Sequence, residues 1–220
     1  MTVEAVLFDL DGTLADTARD LGGALNRLLA EEDRGPIAYA TIRPHVSGGA
    51  RALLRTGFGL TPADAEYTAF QQRFLAHYQS ALCVDTVLFD GIAELLDALD
   101  EQSIPWGIVT NKSQRFTLAL AEGLGLRDRA ACIVSGDSSL RPKPDASPLL
   151  LACGLAGASP AETFYVGDDL RDIHAGRSAG VKTIAAAYGY LGDGAPVDTW
   201  GADAVIAAPG EVLPLLARTD

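Results

Sequence analysis

The stretch Ala5-Val6-Leu7-Phe8-Asp9-Leu10-Asp11-Gly12-Thr13 sets an unbroken apolar run of strand length directly against a pair of acids and a glycine. An apolar run without alternation marks a strand covered on both faces, as in a parallel sheet. Runs of the same kind return at 106–109, 131–134, 163–166, 183–186 and, more weakly, 204–207. Helix-period stretches lie between them. Ile92, Leu95, Leu96 and Leu99 fall at i, i+3, i+4 and i+7 and share one face, and Leu118, Leu120, Ala121 and Leu124 follow more loosely. Alternation of strand and helix from about residue 88 onwards predicts βαβ units. The expected class is α/β, a Rossmann-like parallel sheet with helices on both faces.

Ahead of that alternation the pattern is purely helical. Leu21, Ala24, Leu25, Leu28 and Leu29 repeat at i, i+3, i+4, i+7 and i+8, and helical character continues through 50–55 and 62–79. The expectation is a helical cap inserted after the first strand, residues 16–83, on a core made of residues 1–15 and 84–220. Its hinges fall near 14–17 and 82–90.

Composition narrows the class. Of 220 residues, 48% are hydrophobic and 21% charged, ordinary values for a chain with a real core. The net charge of −12 repels phosphate backbones and anionic bilayers, which argues against nucleic-acid and membrane partners. No apolar run reaches the ~18 residues of a bilayer span, and Met1-Thr2-Val3-Glu4 lacks the basic start of a secretory leader. Cys83, Cys132 and Cys153 are odd in number and widely spaced, a poor basis for disulfides or a zinc site. A cytoplasmic protein with no obligate protein partner is expected.

The chemistry-bearing residues sit where strands end. Four motifs do so: Asp9-Leu10-Asp11-Gly12-Thr13, Thr110-Asn111-Lys112, Lys143-Pro144-Asp145 and Gly167-Asp168-Asp169-Leu170-Arg171-Asp172. The carboxyl ends of strands in an open parallel sheet form one crevice, so the four should converge. Asp9, Asp11 and Asp168, with Asp169 and Asp172 behind them, would then crowd negative charge, with ~4 kcal/mol of repulsion per pair at ~4 Å. A cation among them relieves this, and an all-oxygen site favours Mg²⁺. Lys143 adds a positive charge, Thr110 a hydroxyl, and Gly12 an opening for backbone amides to approach an anion. Such a set suits phosphoryl transfer, with one of the Asp9/Asp11 pair as nucleophile and the other as proton donor.

At these residues the chain resembles the haloacid dehalogenase superfamily, and within it the phosphoglycolate phosphatase type. The opening run from Asp9 to Thr17 matches the DxDGTLxDT signature, and the other three motifs follow in order. The resemblance implies that Asp9 is the nucleophile, forming an aspartyl-phosphate, and Asp11 the general acid and then base. It further implies that Thr110 and Lys143 hold the phosphoryl group, with Gly12 and Asn111 beside it. Asp9, the Asp11 carbonyl and Asp168 would bind Mg²⁺, with Asp172 in support. A narrower likeness, in Val46-Ser47-Gly48-Gly49-Ala50-Arg51 and the later motifs, is to bacterial phosphatases of N-acetylmuramic acid 6-phosphate, which serve peptidoglycan recycling. It implies a small phosphorylated sugar or acid as substrate, phosphoglycolate being the alternative. In the cap, Ser47, Gly48, Gly49, Arg51 and His45 are the candidates to touch that substrate, with Arg43 in reserve.

Plainer readings stand beside these. Asp145 and Asp169 suit helix N-caps, Asn111 could cap the next helix, and Tyr188 and Tyr190 suit packing. A phospho-receiver signalling domain shares an acidic cluster, Thr and Lys, but needs no cap and splits the acids between strands. A dehalogenase has no use for Asp11, and a phosphomutase differs only in whether phosphate goes to water or to sugar.

Overall fold

Strand β1 (Ala5–Phe8) is wholly buried because it lies in the middle of a sheet with a parallel neighbour on each side. The computed structural model describes residues 2–192 and 194–217. Its six-stranded sheet is completed by β4 (Trp106–Val109), β5 (Cys132–Val134), β6 (Thr163–Gly167), β7 (Lys182–Ala186) and β8 (Ala204–Ile206), in the order β5-β4-β1-β6-β7-β8. All the pairings are parallel, Val6 opposite Trp106 and Phe164, for instance. The order reverses direction at β1, so the crevice beyond the carboxyl ends opens beside Asp9.

Helices α5 (Ile92–Glu101), α6 (Gln114–Gly123), α7 (Ser147–Ala156), α8 (Leu170–Ala179) and α9 (Val212–Leu216) cover the sheet. Ile92, Leu95, Leu96 and Leu99 of α5 are all buried against β1 and β4 residues, each contributing about 1.5–3 kcal/mol by leaving water. Helix α6 turns differently from its leucine pattern. Phe116, Thr117, Leu120 and Ala121 are its buried face, and Leu118 is half-buried. Phe116 accounts for this: it packs into the neighbouring helical cluster and rotates the helix toward it.

That second cluster is formed by the segment between β1 and β4. It holds α1 (Ala18–Glu31), α2 (Tyr39–Ile42), a 3₁₀ turn (Arg43–Gly48), α3 (Gly49–Phe58) and α4 (Tyr67–Ser80). Leu21, Ala24, Leu25, Leu28 and Leu29 of α1 are buried against Leu53, Leu54, Phe74 and Tyr78. Helix α4 begins five residues later than its apolar pattern suggests. The Asp64 carboxylate accepts from the Thr61 amide at 2.7 Å and from its hydroxyl at 2.8 Å, holding 61–64 in a turn. An antiparallel ribbon of β2 (Ala15–Asp16) and β3 (Val87–Leu88) joins this segment to the sheet, Ala15 opposite Leu88. Such a short ribbon carries no periodicity, but it falls within the hinges expected near 14–17 and 82–90. Among the described residues no helix is long and apolar enough to cross a membrane.

Candidate active site

The four motifs do meet. Asp9 follows β1, Thr110 follows β4, Lys143 lies between β5 and α7, and Asp168 and Asp172 frame the start of α8. Asp9, Asp168 and Asp172 are all buried and offer carboxylate oxygens within 4.8 Å of one another. Lys143 Nζ stands 3.0 Å from Asp9 Oδ1 and 2.7 Å from Asp172 Oδ1, and donates to the Val109 carbonyl at 3.0 Å. Asp172 also accepts from the Tyr165 hydroxyl at 3.0 Å and the Asp169 amide at 3.1 Å. Asp168 accepts from the Thr13 hydroxyl at 3.1 Å, the Ser47 hydroxyl at 2.8 Å and the Tyr190 amide at 2.9 Å.

Charge explains what this cluster lacks. Asp11 is neutralised by Lys112, whose Nζ lies 2.8 and 3.0 Å from its two oxygens, and Asp169 by a bidentate Arg171 at 2.8 Å. Three carboxylates then face the single ammonium of Lys143, which would leave two negative charges in a buried space were all three ionised. Burial, helped by Asp172 and Asp11, pushes the Asp9 carboxyl up to about 6 against the pull of Lys143. Burial together with Asp9 and Asp172 drives Asp168 well above the usual carboxylate range. An uncompensated −2 with hard oxygen donors is the right complement for a divalent cation, so the residues present fit one.

Several candidates are placed otherwise than their motifs suggest. The Gly12 amide donates to the Ala15 carbonyl at 3.0 Å and is closed to an anion. Gly12 is needed instead for space and conformation: at φ +87°, a Cβ there would stand 2.1 Å from Asp168 Oδ2. Asn111 grips the backbone of Lys143, donating to its carbonyl and accepting from its amide, each at 2.9 Å, so it sets the lysine in place. The carboxylate of Asp11 lies outside the three-acid cluster, held by Lys112 and the Thr17 hydroxyl. Asp169 does cap α8, sharing a reciprocal capping box with Asp172. Asp145 sits one residue before the cap of α7 and accepts from the Ser147 amide at 2.9 Å. Arg43 does not line the cavity; it is tied to the carbonyls of Gly189 and Tyr188 at 3.1 and 3.2 Å.

Above the acids lies a cavity of about 610 Å³. Asp9, Asp11, Thr110, Asn111, Lys112 and Lys143 line its floor, and Ser47, Gly48, Gly49 and Arg51 one wall. His45 is not among the lining residues. The opposite wall is α4, through Tyr67, Gln71, Phe74, Leu75 and Tyr78. The sequence reading missed that wall, although its i, i+4, i+7, i+8, i+11 spacing is visible; an apolar helix face reads as core. Arg171, inside a quoted motif, donates to the Ser47 carbonyl at 2.8 Å and joins α8 to this wall. Tyr165, buried in β6, positions both Lys143 and Asp172 and carries no local signal.

A buried aspartate at a strand end, an acidic cluster that fits a cation and a lysine held against it are the parts a hydrolase of phosphate esters would need. The family profile described as haloacid dehalogenase-like hydrolase matches residues 6–186. The chain belongs to that family, and within it is a phosphoric monoester hydrolase. It is 42% identical over 218 residues to the N-acetylmuramic acid 6-phosphate phosphatase of Pseudomonas aeruginosa, covering 99% of this chain and 96% of that one. It is 40% identical over 209 residues to a phosphoglycolate phosphatase of Xanthomonas campestris pv. campestris, covering 94% of each. The fold matches the crystal structure of a predicted phosphoglycolate phosphatase from Haemophilus somnus with a TM-score of 0.86, at 25% identity and 98% coverage of both chains.

Proposed function

We propose that the chain hydrolyses N-acetylmuramic acid 6-phosphate to N-acetylmuramic acid and inorganic phosphate, as a cytoplasmic enzyme of peptidoglycan recycling. The relatives by themselves divide between two substrates at 42% and 40% identity. Cavity size carries the choice: about 610 Å³ lies within the ~300–1,000 Å³ typical of sites for drug-sized ligands. A two-carbon acid phosphate would leave most of that space to water, whereas an N-acetylated sugar acid would reach the apolar walls of Val46, Phe74, Leu75 and Phe116.

The proposed chemistry uses these residues as follows. The Asp9 carboxylate attacks phosphorus and forms an acyl phosphate as the bond to the sugar oxygen breaks. Asp11, oriented by Lys112 and Thr17, takes up a proton from solvent as the substrate binds and delivers it to that oxygen. Asp11 then takes a proton from water, whose oxygen attacks the same phosphorus; phosphate leaves and the Asp9 carboxylate is restored. Lys143 and Thr110 hold the phosphoryl oxygens, with Asn111 and Tyr165 fixing Lys143. Mg²⁺, held by Asp9 and Asp168 with Asp172 in support, would neutralise charge on the phosphoryl group. Residues 16–83 act as the cap, and Arg51 meets the substrate carboxylate.

Phosphate release from both esters, in Mg²⁺ and in EDTA, tests this. The sugar acid should exceed phosphoglycolate by at least ~100-fold in kcat/KM, with turnover only in Mg²⁺ and none in Asp9→Asn. The reverse ranking would move the assignment to phosphoglycolate, and turnover by Asp9→Asn would remove the nucleophile.

A further inference from the structure

Tyr190 is buried and is tied to several other parts of the chain. Its hydroxyl accepts from the amides of Thr17 at 2.8 Å and Ala18 at 3.1 Å, the N-cap and first residue of α1, and donates to Asp16 Oδ1 at 2.9 Å. Its own amide donates to Asp168 Oδ2 at 2.9 Å. Its ring lies under the Arg43 guanidinium at 5.0 Å and faces Phe89 at 6.1 Å. One residue thus touches the acid cluster, both strands' ends of the connecting ribbon, the first turn of α1 and the turn that leads into α3.

The capping arrangement is unusual in its origin. Thr17 stands at the N-cap of α1 but makes no side-chain cap, because its hydroxyl donates to Asp11 instead. The Thr17 amide is therefore satisfied by a hydroxyl 173 positions away in sequence, and the Ala18 amide is shared between that hydroxyl and Asp16 Oδ1, at 3.2 Å. Aromatic packing alone would be met by phenylalanine; three hydrogen bonds across the junction would not. The adjoining contacts point the same way, since Arg43 reaches the Gly189 and Tyr188 carbonyls and Ser47 reaches Asp168.

We propose that Tyr190 is a positioning residue that fixes the helical segment over the acid cluster, so that recognition of the leaving group depends on a hydroxyl that touches no substrate. This rests on the reading above that the segment contacts the leaving group. The chain of contacts is direct: Tyr190 sets the first turn of α1 and the Arg43 turn, and the latter leads into the wall carrying Ser47 and Arg51.

Tyr190→Phe in the full chain tests it, keeping the ring under Arg43 and the amide on Asp168. The ratio of kcat/KM for N-acetylmuramic acid 6-phosphate to that for phenyl phosphate should fall about 10-fold, mostly through KM, because a misplaced wall penalises only the ester that uses it. Hydrogen exchange should rise across residues 39–58 as well as at Thr17 and Ala18. Loss of a helix cap alone would raise exchange at Thr17 and Ala18 and lower the melting temperature with the ratio unchanged, and that result overturns the proposal. If the unaltered protein shows no preference for the sugar acid, the substrate reading has failed and exchange across 39–58 decides alone: a rise upholds the positioning role and its absence refutes it. Should Tyr190→Phe not fold, Arg43→Gln, which loosens the same junction from the other side, is measured in the same way.

Discussion

Replacing Lys143 by Met removes the ammonium that contacts both Asp9 and Asp172 while keeping the volume of the side chain. At an effective dielectric of about 20, contacts of 2.7 and 3.0 Å each represent roughly 6 kcal/mol of attraction before desolvation. Desolvation of the ammonium offsets much of this, and removing one partner from a buried pair costs about 3–5 kcal/mol in practice. For a chain of this length each kcal/mol moves the melting temperature by about 2–4 °C, so Lys143→Met should melt about 6–20 °C lower in EDTA. Three carboxylates would then share a buried space with no cation. Saturating Mg²⁺ should recover part of the loss, because it supplies positive charge at the same place and binds only the folded state. Thermal unfolding followed by circular dichroism, with EDTA and with Mg²⁺, measures both quantities. A drop below about 3 °C, or the same drop in both buffers, would show that Lys143 is not the counter-charge of the cluster.

Two further outcomes follow from the same electrostatics. Arg51 lines the cavity and makes no hydrogen bond or ion pair among the described residues, so Arg51→Ala should leave the melting temperature alone. It should raise KM for a carboxylated ester about 10-fold relative to phenyl phosphate, and equal KM changes on both would return Arg51 to the solvent. The second concerns pH. Burial holds Asp9 at about 6, above its ordinary 3.8, so the folded cation-free protein keeps a proton that the unfolded chain releases. Stability from this group is full below the unfolded value and is lost as pH rises through the folded one. In EDTA the melting temperature should therefore fall between about pH 4 and about pH 6, and Mg²⁺ should flatten that fall by favouring the ionised form. A profile that rises in EDTA across the same range would contradict the burial of Asp9.

Much of the architecture was legible because it depends on local, repeated signals. The run at residues 5–8 and those at 106–109 and 163–166 are apolar on both faces, and each is a strand with neighbours on both sides. The leucines of α1 and α5 show the period of the face they bury. Acids at strand ends could be gathered into one crevice because parallel topology leaves them no other place. What stayed hidden depends on partners distant in sequence. Gly12 reads as an anion-binding turn until Asp168, brought from another strand, occupies the space a Cβ would need. Asn111 reads as a cap or a phosphate ligand until Lys143 is found against it. Tyr165 and Tyr78 look like core aromatics in a sequence, and only three-dimensional neighbours show which of them face the cavity.

The ribbon of β2 and β3 has a consequence for how such a chain can change. The Phe89 amide donates to the Leu14 carbonyl at 3.0 Å and Ala15 stands opposite Leu88, so the helical segment departs and returns through adjacent strands about 4.8 Å apart. Its ends are already closed, and the entropy of closing a loop grows only slowly with its length. Residues can be added, removed or exchanged between those two strands with little disturbance to the sheet that carries Asp9. On the proposed reading, the residues that break the ester and those that select it lie on separable pieces of chain, connected through a ribbon two residue pairs long.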